Sequence, residues 1–331
     1  MAPSERDLDA ALDAVLGDTA AAELQPAAGR LTAAYRAGAL PGEQLDTPLA
    51  VRAYAAYRMP ATFAAVKAAL RAAAAVNPRL APRSLLDAGG GTGAALWAAA
   101  AALPTLQRAT VLDRSREALA LGRALAEHAP GPVVGAATWT PAQLGAAALP
   151  GADLVTMAYV LAELPAQAGR DLVGAAAAAA PVVAVVEPGT PAGHRRVLEA
   201  RDLLIRSGRR VLAPCPHELT CPLAGGGPDG TDWCHFAARL PRSPRHRRVK
   251  GGTLGWEDEK FAYVVAAPTG AEPAAGRIVR HPQRRKGLVE LSVCGRPPGV
   301  RVVPVSRRQG PDYRAARDAG WGDPWPPHVP V

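Results

Sequence analysis

Apolar residues recur at three- and four-residue intervals through 6–18 (RDLDAALDAVLGD) and 47–74 (TPLAVRAYAAYRMPATFAAVKAALRAAA), which predicts helices. The segment 77–83, with two prolines and two arginines, breaks that period and reads as a hinge between an N-terminal helical arm and a core. From there strands and helices alternate. Residues 84–97 (SLLDAGGGTGAALW) read as strand, glycine loop and helix, and 109–115 (ATVLDRS) as a second strand ending in an acid, with a helix over 115–128. Further strands are predicted at 132–139 (PVVGAATW), followed by a helix-like stretch to 149, and at 153–164 (DLVTMAYVLAEL), running into a loop. The continuous apolar run at 181–187 suits a parallel strand covered on both faces. Beyond 250, the runs KFAYVVAAP, GLVELSVCG and GVRVVPVS lie between Gly/Pro turns and predict a small sheet appended to the core. The expected organisation is a helical arm at 1–80, an α/β core at 81–212, a cysteine-containing metal-binding segment at 213–249 and a basic β-rich unit with its tail at 250–331.

The glycine loop is the centre of the chemistry. Gly89, Gly91 and Gly93 remove the Cβ atoms that would keep a ligand off the backbone. A nucleoside triphosphate would want Lys and Ser/Thr after the last glycine, but Ala94 and Ala95 stand there. A dinucleotide would want G-x-G-x-x-G, whereas here an acid, Asp87, precedes the glycines. This spacing resembles motif I of the S-adenosylmethionine methyltransferases. That cofactor carries an ammonium group, for which Asp87 is the candidate partner, directly or through solvent. Asp113 ends the second strand about 20 residues on, where a carboxylate reaches ribose hydroxyls; its alternative role is to cap the following helix. Tyr159 and Glu163, at the end of the 153–164 strand, are nearest the transferable methyl and are the candidate catalytic residues. The Asn/Asp-Pro-Pro-Tyr/Phe sequence of base amino methyltransferases is not present there. Tyr54, Tyr57, Arg58 and Met59 bring aromatic and basic groups together, as a substrate-facing surface or a helix-packing face.

The charge is local. The net charge is +9, yet 239–317 alone carries 18 Lys/Arg against 6 Asp/Glu, so the rest of the chain is slightly acidic. A GC-rich coding sequence, which inflates arginine everywhere, would not concentrate the excess in one region. Arg242, Arg245, Arg247, Arg248 and Lys250, then Arg284, Arg285 and Lys286, then Arg307 and Arg308, are candidate phosphate contacts for RNA. No run of about 18 uncharged apolar residues occurs and acids begin early, so the reading is a cytoplasmic protein with no membrane partner.

The four cysteines, Cys215, Cys221, Cys234 and Cys294, all follow the core strands. In a reducing compartment they are a metal site or unrelated buried thiols, and three within twenty residues among Pro, Gly and His favour the metal. Neither zinc-ribbon nor ferredoxin spacing is present, so spacing leaves zinc and iron–sulfur both open, and His217 and His235 keep a mixed zinc site in play. The pairs Pro214-Cys215 and Thr220-Cys221 imitate those of RNA cytosine-C5 methyltransferases, but both fall too late and too close together for that mechanism.

Taken in order, DAGGGTG, AYVLAELP, VEPGTPAGHRRVLEARDLL, CPHELTCP, DWCHF, EDEKFAYVV and RHPQRRKGLVELSVCG resemble the methyltransferase-like family of small-ribosomal-subunit assembly proteins, whose members occur in bacteria and mitochondria. The resemblance covers most of the chain. It implies a Rossmann-type S-adenosylmethionine methyltransferase fold of α/β class with the helical arm and the small C-terminal β-rich unit. It also implies a [4Fe-4S] cluster on Cys215, Cys221, Cys234 and Cys294, and the small ribosomal subunit and its rRNA as partners of a protein monomeric off the ribosome. The function implied is rRNA methylation, or subunit assembly without catalysis. A small-molecule methyltransferase with a zinc site is a further alternative, against which the local basicity counts.

Overall fold

The computed structural model describes residues 2–17, 19–36, 47–145, 147–227, 230–268 and 273–326. The extreme C-terminal residues and parts of the N-terminal arm lie outside these.

Helix α1 (Glu5–Leu16) starts at Ser4, which forms a capping box with Asp7, and buries Leu8, Leu12 and Leu16 from one face. It is followed by α2 (Ala21–Arg36). The predicted helix over 47–74 is two helices, α3 (Pro48–Tyr57) and α4 (Met59–Val76), meeting at Arg58. Pro60 is the physical reason: it has no N–H to give to the preceding turn, so it begins a new helix. Helix α4 is long and apolar enough to cross a membrane, but 61% of it is buried inside the protein, where it packs on the sheet.

The core then follows as β1 (Ser84–Ala88), α5 (Ala94–Ala102), β2 (Arg108–Asp113), α6 (Arg116–Ala126), α7 (Pro132–Gly135), β3 (Thr138–Pro141), β4 (Leu154–Ala158), α8 (Ala166–Ala179), β5 (Val182–Pro188), α9 (Pro191–Arg206) and β6 (Arg210–Ala213). Two expectations fail between α6 and β4. The apolar run at 132–139 is a short helix before a strand, because Gly131 at φ 86° and Pro132 at the first helical position start a turn there. The stretch to 149 has no helix among its described residues.

The chain continues with β7 (Phe236–Pro241), α10 (Pro244–Lys250) and β8 (Trp256–Ala267). The run KFAYVVAAP was expected in the appended sheet and instead lies in β8, at the heart of the main sheet. There it is antiparallel to β5, and Phe261–Ala267 are buried throughout. An apolar run of this kind needs cover on both faces, which a small peripheral sheet does not provide. The strand order is β3-β2-β1-β4-β5-β8-β6, with β7 pairing the outer half of β8. Strands β1 to β5 are parallel, and the order reverses between β1 and β4, which opens a crevice at their carboxyl ends. This is a methyltransferase-like Rossmann sheet. One face packs against α1 to α6 and the other against α8 and α9, so the arm helices share the core of the sheet.

A second, antiparallel sheet contains β9 (Gly276–Ile278), β10 (Gln283–Arg285), β11 (Leu288–Gly295) and β12 (Gly299–Ser306), and α11 (Pro311–Asp318) closes over it. Three arginines tie it to the segment between β6 and β7. Arg277 donates to the Pro214 carbonyl at 2.9 Å, Arg296 to the Pro216 carbonyl at 3.3 Å, and Arg280 to Asp232 and the Trp233 carbonyl.

Candidate functional site

The crevice between β1 and β4 is lined by Gly89, Gly90, Gly91, Asp87, Asp113, Arg114, Tyr159 and Glu163, with Val51, Tyr54 and Thr62 of α3 and α4. Gly93 ends the loop beside it, as the left-handed N-cap of α5. Six of the seven residues expected to hold or act on a cofactor therefore line one cleft. The N-terminal helices contribute to the cleft wall, and Tyr54 is the one residue of that wall the sequence had singled out.

The loop is pinned to the end of β2. Gly89 and Gly90 donate to the Leu112 carbonyl at 2.8 and 3.1 Å, while Asp113 accepts from Gly91 N at 2.9 Å and Ser115 N at 2.8 Å. Ser115 caps α6, so the capping role belongs to it and Asp113 faces the loop. Asp87 sits beneath. It is fully buried, its Oδ1 accepts from Thr156 at 2.7 Å, and its Oδ2 is without a partner among the described residues. A Cβ at Gly90 would come within 2.4 Å of that oxygen, which is why the loop can lie directly on the carboxyl only with glycine there. Burial raises the Asp87 pKa to about 7.

The sequence did not reveal how Tyr159 is held. It is the one non-glycine residue with positive φ (62°) among the described residues, and its hydroxyl donates to Glu259 at 2.8 Å. Glu259 is clasped by Arg58 through two hydrogen bonds of 3.0 Å, and the guanidinium lies 5.2 Å from the Tyr159 ring centroid. Burial, and then the Glu259 charge, push the phenol pKa well up, so Tyr159 keeps its proton on the bond to Glu259 while it lines the cleft. Glu163 stands on the turn after β4. That turn is fixed by Glu187, which is fully buried, accepts from Leu161 N at 3.1 Å and pairs with Arg196 at 2.6 Å. Burial, and then the neighbouring Asp113, raise Glu163 to about 8.

Two expected outcomes follow from this geometry. Glu259→Ala leaves Arg58 with no counter-charge in a site where its side chain is 18% exposed, and should cost about 3 kcal/mol in urea unfolding, with Glu259→Gln milder. The second concerns pH. Above the ordinary carboxyl values of 3.8 for Asp and 4.5 for Glu the unfolded chain has released protons that Asp87 and Glu163 still hold when folded. Their contribution to the ligand-free protein is therefore complete only below those values and is lost as the pH rises through about 7 for Asp87 and about 8 for Glu163. Urea midpoints across that range should fall, and Glu163→Gln should flatten the decline.

All four cysteines line a second, smaller cavity, together with Arg201, His217, Arg277 and three prolines. Cys215, Cys221 and Cys234 come from the segment between β6 and β7, and Cys294 from β11, where it pairs with Arg277 of β9. Burial raises every one of these thiols, Cys294 to about 12, and the other cysteines raise Cys221, Cys234 and Cys294 further, which marks them as close neighbours. The Arg201 and Arg277 charges act the other way on Cys215. Arg201 is 3% and Arg277 4% exposed, and Arg201 Nε has no hydrogen-bond partner among the described residues. His217 Nε2 lies 3.9 Å from Cys294 Sγ, whereas His235 is stacked on Trp233, meets Trp321 edge-on and does not line the cavity. No three Cys, His, Asp or Glu side chains among the described residues are gathered tightly enough to hold a single metal ion.

The ten expected RNA contacts divide in two. Arg242 and Lys250 both bond Glu257 at 2.6 Å, and Arg245 pairs with Asp13 at 2.5 Å, so these three staple α10 and the turn before it to β8 and α1. Burial alone would raise Glu257, but the bonds from His246, Lys250 and Arg242 outweigh it and hold the carboxyl far below its usual range. Arg247 and Arg248 are exposed. So are Arg284, Arg285, Lys286, Arg307 and Arg308; Arg284 is hydrogen-bonded to the carbonyls of Arg317 and Ala319, and Arg285 lies 3.6 Å from Glu290. The Arg307 N–H bonds the Gly287 carbonyl at 2.9 Å, which brings the last two clusters to one end of the second sheet.

A family profile described as "Mitochondrial small ribosomal subunit Rsm22" matches residues 48–326, from α3 to beyond α11. The chain belongs to the Rsm22 family. It is 32% identical over 299 residues to the human "Ribosome assembly protein METTL17, mitochondrial", covering 84% of this chain and 62% of that protein. It is 24% identical over 183 residues to the Schizosaccharomyces pombe "Rsm22-cox11 tandem protein 2, mitochondrial", covering 44% and 24%. The chain thus spans less than two thirds of the length of these curated relatives. Among solved structures, an O-methyltransferase family protein of Burkholderia thailandensis matches at 13% identity and a TM-score of 0.41, covering 67% of this chain and 60% of that one. The expectation of a cytoplasmic protein is overturned here: the family and both relatives are described as mitochondrial.

Proposed function

We propose that the chain is an S-adenosylmethionine-binding assembly factor of the small ribosomal subunit that contacts rRNA through its C-terminal arginines. The observation that carries this reading is the glycine loop, Asp113 and Glu163 closing on a single cleft in a member of the Rsm22 family. The residues fit the cofactor: Gly91 leaves open space toward the cleft, Asp113 stands at the strand end where ribose hydroxyls are bound, and Asp87 offers a buried oxygen without a partner among the described residues. Bound there, the cofactor would supply an activated methyl group.

The cysteine cavity supports a metal centre held by Cys215, Cys221, Cys234 and Cys294. Four thiols around one cavity, with no three gathered on a point, suit a [4Fe-4S] cluster better than a zinc ion, and Arg201 and Arg277 would offset its negative charge. The raised thiols imply that loading releases protons, so metal affinity rises with pH.

A second reading, rRNA methylation, is favoured by Glu163, whose carboxyl titrates near working pH inside the cleft and is therefore a candidate general base. Mass-spectrometric mapping of small-subunit rRNA from cells that carry only a Glu163→Ala variant still able to bind the cofactor separates the two, because a methyl group lost while assembly continues requires catalysis by this chain. Calorimetry with S-adenosylmethionine tests the reading common to both, and absence of binding sinks it. RNA affinity should fall steeply with salt, and replacing Arg307 and Arg308 by alanine should reduce the slope by up to about one unit for each phosphate no longer neutralised.

A further inference from the structure

We infer that the outer face of the β7–β8 hairpin is a stacking platform for one unpaired base of single-stranded RNA, with Trp256 as the ring that receives it. The inference rests on the RNA-binding reading above. In register, Arg239 pairs with Asp258 and Pro241 with Trp256, so these four side chains share one face of the hairpin. The opposite face is occupied: Leu240 is buried, and Glu257 takes the bonds from Arg242, Lys250 and His246 that fasten α10. The hairpin is thus anchored on one side and displays the other.

On the displayed side the Arg239 guanidinium lies 3.8 Å from the Trp256 ring centroid and is held there by two bonds to Asp258, at 2.8 and 3.0 Å. Trp256 is nevertheless 42% exposed. A guanidinium held over an indole favours one orientation of that ring, and the exposed remainder offers a π face to a third planar group. The surroundings select the ligand. Between 239 and 256 the chain has six Lys/Arg and no acid, and of these Arg247 and Arg248, on the helix that connects the two strands, are exposed. Of the five large apolar side chains exposed among the described residues, only Leu254 accompanies Trp256 here, too little apolar area for a stable protein interface. A lone aromatic ring on one face of the hairpin, with exposed cations on the helix fastened to the other, fits a strand whose bases stack and whose phosphates are neutralised.

The test uses the full chain with a short unstructured RNA and with a duplex of the same length, titrated at several salt concentrations. Trp256→Ala should weaken single-strand binding roughly 5- to 100-fold while leaving the salt slope unchanged, and Trp256→Phe should restore most of it. Arg247→Ala/Arg248→Ala should instead flatten the slope by about two units. Duplex binding should not respond to Trp256. If the native chain binds the single strand and Trp256→Ala binds it equally well, the platform is wrong and the RNA reading stands; if the native chain binds no RNA, both fall. A Trp256→Ala variant that keeps its RNA affinity but loses a protein partner would reassign the face to that partner. Equal weakening of Trp256→Ala and Trp256→Phe, with matching losses of thermal stability, would reduce the stack to a hairpin brace.

Discussion

Cys294→Ser is expected to lose most of the iron and acid-labile sulfide of anaerobically prepared protein and to unfasten the second sheet. Cys294 is the only one of the four cysteines that β9–β12 contribute, and the metal it shares would join that sheet to the segment before β7. Without the metal the connection rests on Arg277, Arg280 and Arg296 and on the contact of Trp321 with His235. Because metal binding to such a site is also folding free energy, the variant should be cleaved faster by protease within 273–326, and chelator-treated native protein should give the same fragments. A serine variant with full iron and the native fragment pattern would make Cys294 an ordinary buried thiol. Zinc in place of iron in the native protein would keep the site and overturn the cluster.

Gly91→Arg should abolish measurable cofactor binding while the protein stays folded. A Cβ at Gly91 would meet nothing closer than Asp113 Oδ2 at 3.8 Å, so a side chain there projects into the cleft and not into the core. At φ 53° a non-glycine residue costs about 1 kcal/mol, which the fold can absorb. The affinity loss should be at least roughly a hundredfold, about 2.7 kcal/mol. Gly89 would not serve for this experiment: its Cβ would stand 2.3 Å from Val160, and impaired binding could then reflect a displaced loop. Unaltered affinity in folded Gly91→Arg would remove the glycine loop from the site.

What could be read from the sequence was what is local or depends on residue type. The glycine loop is contiguous, Asp113 lies on the next strand, and four cysteines in a chain that has only four attract notice wherever they fall. The Arg58–Glu259–Tyr159 clasp could not be read, because its members are 201 and 100 residues apart and each, alone, is an ordinary surface residue type. Charge counting located the basic region but could not distinguish Arg245, spent on Asp13, from Arg247, which faces solvent. Nor could a run such as KFAYVVAAP reveal which sheet it joins, since burial on both faces is a property of its neighbours.

Strand β8 alternates its duties residue by residue. Glu257, Glu259, Phe261 and Tyr263 point toward α10, the cleft and the core beneath the arm helices, while Trp256, Asp258 and Lys260 face outward and Ala262, Val264 and Ala266 pack under α8 and α9. Substitutions would therefore damage one location at a time. A single inserted or deleted residue would exchange the two faces over the part of the strand that slips, sending Glu259 outward as it brings Trp256 in. Length, more than composition, is what this strand cannot vary, so natural insertions and deletions should be tolerated in the loops on either side of Trp256–Ala267 and excluded within it.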